Sequence, residues 1–295
     1  MSPIPKFIKD AWEKAQKNPK EVNANLAFYR FFEMDQQTET KIKESKTKRG
    51  FNFMMKIELE KQCAHLFSRQ AQQIVALQAQ KGWEAAQWVQ VTQSRLACGL
   101  GIPHPSENGL LLDRISGAPY LAGTGLKGMT LNMARAKLEG LDNEEHKKTK
   151  ALIQAIFGSD PTDSSYESAC KGRVHFFDAF PDVGTINGKK PFQTDIVNPH
   201  YGGYYSTGGK TPPADYLAPV PSFFLTVRQG VRFGFALAVQ ATRGGAEGED
   251  LFTAKELLDT AKVWLQTALM ELGAGGKTRV GYGLFGTPAE ERGAK

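Results

Sequence analysis

Thr253 and Glu256 stand three residues apart at the head of the most regular apolar stripe in the chain. That spacing is a capping box: the hydroxyl and the carboxylate each satisfy an N–H group that a helix start leaves unpaired. Leu257, Leu258, Ala261, Leu265, Ala268, Leu269 and Leu272 follow at helical period, and Gly273 ends the run. A helix with so broad an apolar face must bury it against another layer. Its sequence neighbours read as strands. Residues 223–228 and 232–241 look like a hairpin turned at Gln229-Gly230, with Phe233, Phe235, Leu237 and Val239 on one face. Residues 279–285 read as a last strand.

Upstream, 88–100 contains a strand with Val89 and Val91 on one face, 124–140 reads as a helix between Thr124 and Gly140, and 173–180 as a short strand. The order is strand, helix, strand, strand, helix, strand. This predicts an α+β fold of the ferredoxin-like type, the split βαβ shared with the RRM. The fold alone assigns no activity.

Before that domain, expected over 88–290, lies a helical, basic N-terminal extension over 1–87. Phe7, Ile8 and Trp12 share one helix face, and Leu26, Phe28, Tyr29, Phe31 and Phe32 cluster next. Residues 38–50, with Lys41, Lys43, Lys46, Lys48 and Arg49, read as a basic linker or exposed loop. Residues 52–82 read as an amphipathic helix carrying Phe53, Ile57, Leu66, Ile74 and Leu77, with Gly82 as its stop.

The 295 residues carry a formal charge of +6, a pI of about 9.1 and 41% hydrophobic residues. That is enough for a full core, and the charge suits a polyanionic partner, as it does many soluble enzymes. Cys63, Cys98 and Cys170 are odd in number and form no CxxC, which predicts reduced thiols and a cytoplasmic protein. No apolar run approaches about 18 residues and no signal-peptide core is visible, so no membrane association is expected. His65, His104, His146, His175 and His200 show no metal-ligand spacing, and neither metal nor cofactor is expected. No Ser–His–Asp pattern or nucleophile elbow is present.

Four segments can carry chemistry. Gly117-Ala-Pro-Tyr-Leu-Ala-Gly-Thr-Gly-Leu-Lys-Gly128 runs into a helix, where outward N–H groups and the helix dipole favour an anion. Lys127 adds a charge, although an ordinary glycine loop reads the same way. Gly273-Ala-Gly-Gly-Lys-Thr-Arg-Val-Gly-Tyr-Gly-Leu-Phe285 contains Gly-Lys-Thr, but a Walker A loop needs glycine at Glu271. The Gly-Gly-Lys-Thr of 208–211 fails the same test at Tyr204. Lys277 and Arg279 instead suit a loop laid along a sugar-phosphate backbone. Asp195-Ile-Val-Asn-Pro-His-Tyr-Gly-Gly-Tyr-Tyr205 gathers a carboxylate, an imidazole and three phenols, for acid–base cleavage, base stacking or plain loop packing. In Arg173-Val-His-Phe-Phe-Asp-Ala-Phe-Pro181, Asp178 is either a functional carboxylate or a turn closer, and His175 either reactive or packed.

Together these segments resemble the RAMP superfamily of CRISPR proteins. Pro119-Tyr-Leu-Ala-Gly-Thr-Gly-Leu-Lys-Gly128, after Gly101-Ile-Pro-His-Pro105, is similar to its P-y-h-p-G-s-s-h-K-G signature. Phe177-Asp178-Ala179 ends a strand as in that family, and Gly275-Gly-Lys-Thr-Arg-Val-Gly-Tyr-Gly283 resembles its glycine-rich loop. The Asp195–Tyr201 stretch, Tyr204-Tyr205 and Pro219-Val-Pro221 narrow the resemblance to RAMP subunits of the type III-B (Cmr) effector. The resemblance covers about 88–286. It implies a ferredoxin-like core with a β-hairpin thumb inserted at about 181–221, turned at Asn187-Gly188. It implies a non-catalytic subunit that holds the 3′ part of the guide CRISPR RNA and helps bind target RNA. The implied neighbours are the repeated backbone subunit, a small helical subunit and RAMP subunit one. Carried over, Gly123, Thr124, Gly125, Lys127 and Gly128 grip the guide backbone, as do Gly275, Gly276, Lys277, Thr278 and Arg279. Lys189, Lys190, His200 and Tyr201 supply further RNA contacts. Ala122 and Gly125 stand where the pattern often has larger or hydroxylic residues, which leaves more of the grip to backbone N–H groups. The alternative within the family is a metal-independent endoribonuclease that processes CRISPR RNA. It would use His200 or His175 as acid or base, with Tyr201 or Lys127 stabilising the transition state.

Overall fold

The computed structural model describes residues 6–32, 43–159, 169–182, 190–198, 201–214, 221–241 and 251–288. Four helices come first: α1 (Lys6–Gln16), α2 (Ala24–Tyr29), α3 (Lys43–Met54) and α4 (Glu60–Gln78). Then follow β1 (Trp83–Val91), α5 (Gly123–Ala136), α6 (Asn143–Phe157), β2 (Gly158–Ser159), β3 (Cys170–Lys171), β4 (Val174–Phe176), β5 (Phe180–Asp182) and β6 (Phe192–Val197). The short helix α7 (Gly202–Ser206), β7 (Ser222–Val227), β8 (Arg232–Gln240) and α8 (Ala254–Glu271) complete the chain order.

The central sheet is antiparallel, with β8 in the middle, β1 on one side and β4 and β5 on the other. Period two decides its faces. Phe233, Phe235, Leu237 and Val239 of β8 join Trp88, Val174 and the α8 residues Leu257, Leu258, Ala261 and Leu265 in the main core. Ala236 and Ala238 point the other way, to Ala85 and to Ile74 of α4. Small side chains let α4 lie close: a Cβ at Gly234 would run into the ring of Phe67. The buried Gln70 anchors α4 further by donating to the Asp178 carbonyl at 2.6 Å. Helices therefore lie on both faces of the sheet, where an RRM leaves one open.

The capped helix forms as expected. Thr253 N–H donates to Glu256 Oε2 at 2.8 Å and Glu256 N–H to Thr253 Oγ1 at 3.2 Å. Several expectations need correction. Residues 43–50 are helical within α3, because Phe51 and Met54 at its end are buried and Gly50 lies against the Phe32 ring. The single helix over 52–82 is two helices with a break near Ile57, itself fully buried. The division at 87/88 falls inside β1, and one core joins Val22, Phe28 and Met54 to Leu237 and Phe285.

The hairpin of 223–241 does not form. The turn at Gln229-Gly230 closes around Thr92 instead. Thr92 N–H donates to Val231 O at 3.0 Å, its hydroxyl to Arg228 O at 2.9 Å, and Gly230 N–H to Thr92 O at 2.8 Å. β7 is thus separated from β8 and pairs with β6, from Phe192 opposite Val227 to Val197 opposite Ser222. This second hairpin spans the loop 198–221. Pro181 pairs with Phe233 in the main sheet, and Asn187-Gly188 lie outside the described residues. The last strand is also absent over 279–285. Thr278–Val280 is a 3-10 turn between left-handed Lys277 (φ 58) and Gly281 (φ 90), a backbone no strand accommodates. Only Phe285 bridges, to Thr92.

Among the described residues no helix is long and apolar enough to cross a membrane. Nor does any group of three His, Cys, Asp or Glu gather there as a metal would need. Cys63 and Cys98 are buried free thiols, both pushed up to about 12 by burial, and Cys170 is exposed.

Candidate nucleic-acid interface

The two glycine-rich segments meet. Gly125, Gly128 and Asn132 of α5 face Gly273, Gly275 and Thr278 across a groove of about 490 Å3, floored by Cys98 and Leu121. Thr124, Gly125 and Gly128 are exposed and Lys127 is half-buried. A Cβ at Gly125 or Gly128 would meet nothing within 4 Å. A glycine inside a helix destabilises it by about 1 kcal/mol relative to alanine. No packing among the described residues explains these two.

Gly123 is different. It is buried, and a Cβ there would collide with the Phe176 carbonyl. Its N–H donates to Asp178 Oδ1 at 2.7 Å. Ala122 is the N-cap and Thr124 makes no capping bond, so a carboxylate from beyond β4 caps the helix. One N–H of the expected anion site is therefore already occupied, and the groove-facing part of the segment is 124–128. Asp178, left open between two roles by the sequence, serves as this cap. A phenylalanine strand ending in Asp was its only sequence trace.

The opposite wall is rigid. Gly276 N–H donates to Ala97 O at 2.6 Å, Gly283 N–H to Arg95 O at 2.8 Å and Ala274 N–H to Gly283 O at 2.8 Å. Lys277 is half-buried with its ammonium 5.8 Å from the Phe224 ring centroid, and Arg279 is exposed. Arg95 pairs with Asp195 of β6, and Tyr282 donates to the same Asp195 oxygen at 2.5 Å. Burial pushes the Asp195 carboxyl up, but the bonds from Tyr282 and Arg95 outweigh it and hold it below the usual value. Burial and that carboxylate raise the Tyr282 phenol to about 12. The loop of 273–283 and the β6–β7 hairpin are thus joined by a charged clamp. Arg95 had no sequence signal, since its partner lies 100 residues away.

The remaining expected residues that the structure describes do not line the groove. Lys190 pairs with Glu58 at 3.2 Å. Tyr201 precedes α7 in the loop between β6 and β7. Lys189 and His200 lie outside the described residues. His175 is exposed, beside the Trp83 ring, and its pKa is lowered by burial and by the charges of Lys171 and Lys127. His104 is structural. Its ring stacks on Phe28 at 3.8 Å, Nε2 donates to Phe28 O at 2.8 Å, and Nδ1 accepts from Ser106 N–H at 3.1 Å. Those bonds fix a neutral tautomer, and burial lowers its pKa.

The sequence model described as the RAMP superfamily matches residues 91–286. The chain belongs to the RAMP superfamily. This RAMP chain is 33% identical over 233 residues to the CRISPR system Cmr subunit Cmr6 of Pyrococcus furiosus, and the alignment spans 65% of each protein's length. Its fold matches a chain in the cryo-EM structure of the type III-B Cmr-beta bound to cognate target RNA. The TM-score is 0.56 at 18% identity, over 96% of this chain and 88% of that one. The crystal structure of Cmr6 from Pyrococcus furiosus aligns at 30% identity and a TM-score of 0.39, over 70% of this chain and 99% of the other. The matched region includes both walls of the groove and the clamp behind it.

Proposed function

We propose that this RAMP chain is a Cmr6-type RNA-binding subunit of a type III-B CRISPR effector. In this reading it holds the 3′ part of the guide RNA, contributes to target RNA binding and does no chemistry itself. One observation carries the reading: both glycine-rich segments of the family line a single groove, with Gly273, Gly275 and Thr278 on one wall and the open helix face of Gly125 and Gly128 on the other, and Lys277 and Arg279 flank Thr278 in the same loop. Small residues allow a sugar-phosphate backbone to approach, and the cations neutralise it. The similarity to Cmr6 agrees in kind.

The same reading makes β1, α5, β4 with β5, β8 and α8 the ferredoxin-like core, with the Phe285 bridge standing for its fourth strand. The β6–β7 hairpin is then the thumb, held to the groove by Asp195. The proposed partners are the guide and target RNA, the repeated backbone subunit, the small helical subunit and RAMP subunit one. The compartment is the cytoplasm.

The test is binding of labelled CRISPR-repeat RNA to the full chain across a salt series. Lys277→Ala and Arg279→Ala are each expected to weaken binding and to flatten the log–log salt slope by about 0.7 per lost phosphate contact on a single strand. Unchanged slopes in both would overturn the groove as the RNA site. RNA cleavage without metal that is lost in His175→Ala or His200→Ala would replace the scaffold role with a processing nuclease.

A further inference from the structure

Helix α4 does not cover the whole of its sheet face. Its last residue, Gln78, donates its side-chain amide to the Ala85 carbonyl at 2.8 Å. The chain then reverses at left-handed Gly82 (φ 85) and enters β1 at Trp83. Register places Trp83 opposite Gln240, and Ala85 and His175 both opposite Ala238. All three project to the α4 side, with Trp83 and His175 at or past the helix end. Trp83 packs partly on the small cluster of Ile74, Ala85, Ala236 and Ala238 and is otherwise accessible. The exposed His175 ring lies 5.7 Å from it, tilted by 41°.

Among the described residues, the charges that bear on the His175 ring are both positive. Lys171, exposed on β3, and Lys127, on α5, both act on His175. Lys127 lies about 100° around α5 from Gly128, at 3.6 residues per turn.

We infer that Trp83 and His175 form a second RNA subsite, a stacking platform for one unpaired nucleobase whose flanking phosphates lie on Lys127 and Lys171. The platform rests on the reading of this chain as an RNA-binding protein and extends it from a backbone grip to base contact. An accessible aromatic face beside two lysines suits a single strand, because stacking accepts any base while the lysines take the phosphates. A duplex offers no free base face to such a platform.

The experiment compares the full chain with Trp83→Ala, Trp83→Phe, His175→Ala and Lys277→Ala, each checked for an unchanged melting temperature. The probe is a fluorescent single-stranded oligouridylate titrated over a salt series. Trp83→Ala is expected to bind about 5- to 100-fold more weakly with an unchanged salt slope, because stacking releases no counterions. Trp83→Phe is expected to stay within about threefold of the parent, since a ring remains. If Trp83→Ala fails to fold, the readout is the tryptophan quenching caused by RNA, which the platform requires to be present in the parent and lost in Trp83→Phe. Parental affinity in Trp83→Ala, or quenching unaltered in Trp83→Phe, overturns the platform. A flattened slope in Lys277→Ala would then show that the groove reading survives without it. Failure of the parent chain to bind at any salt overturns both.

Discussion

The two glycine-rich walls of the groove use the same residue for opposite reasons. In the loop of 273–283, Gly283 is left-handed (φ 76), and a Cβ there would collide with the Ala274 carbonyl; Gly275 (φ 84) is blocked in the same way by Ala97. Those glycines are required by the chain's own backbone. Across the groove, Gly125 and Gly128 have ordinary helical geometry and open space at the missing Cβ. They reduce helix stability and relieve no internal clash. One wall is therefore glycine for folding, and the other keeps space that the described residues do not fill.

Substitution separates the walls most sharply at Gly283. Gly283→Ala is expected to destabilise the chain by about 3 kcal/mol or more, through combined strain and overlap, seen as a large drop in melting temperature or in folded yield. A variant of parental stability would show that the loop yields easily and that the walls do not differ. Asp178→Ala comes next, at about 1 kcal/mol in chemical denaturation, because it leaves the start of α5 uncapped. Gly125→Ala with Gly128→Ala is expected to raise stability by about 0.5–1 kcal/mol per site while lowering RNA affinity. Affinity unchanged in that stabilised variant would mean the open space is not used by RNA. The smallest effect on the groove belongs to His104, which acts on the α2 contact instead. Its folded pKa lies below the ordinary 6.5, so stability is full above about pH 6.5 and falls as pH drops toward the folded value. His104→Asn should flatten that acid dependence in thermal melts and leave RNA binding at pH 8 near parental.

Local signals in the sequence were reliable where a segment decided its own structure. The Thr253–Glu256 box, the period of Leu257 to Leu269 and the alternation of Phe233 to Val239 each encode an element and its buried face. Pairing was not legible where a distant residue decided it. Nothing near Gln229-Gly230 reveals that Thr92 occupies the turn, and the fragment Thr-Arg-Val looks strand-forming until the left-handed residues on either side are known. The Lys-rich run of 43–50 reads as solvated, yet burial of Phe51 and Met54 makes it helix. At the groove, glycines and cations were visible as two separate segments. Their juxtaposition, the Asp178 cap and the Arg95–Asp195–Tyr282 clamp depend on tertiary contacts that no spacing encodes.

The bond between Phe285 and Thr92 also has a consequence for how the chain is made. Gly286 N–H donates to Val91 O at 2.8 Å, Gln93 N–H to Leu284 O at 2.7 Å, and the Gln90 side chain to Gly286 O at 2.9 Å. β1 is synthesised early, yet one side of its far end is bonded by residues almost 200 positions later. During translation that edge waits open while β8 and α8 emerge, and contacts of such sequence separation form slowly. The nascent chain therefore carries an open β edge until residues 284–286 leave the ribosome, and in that interval the edge is exposed to aggregation.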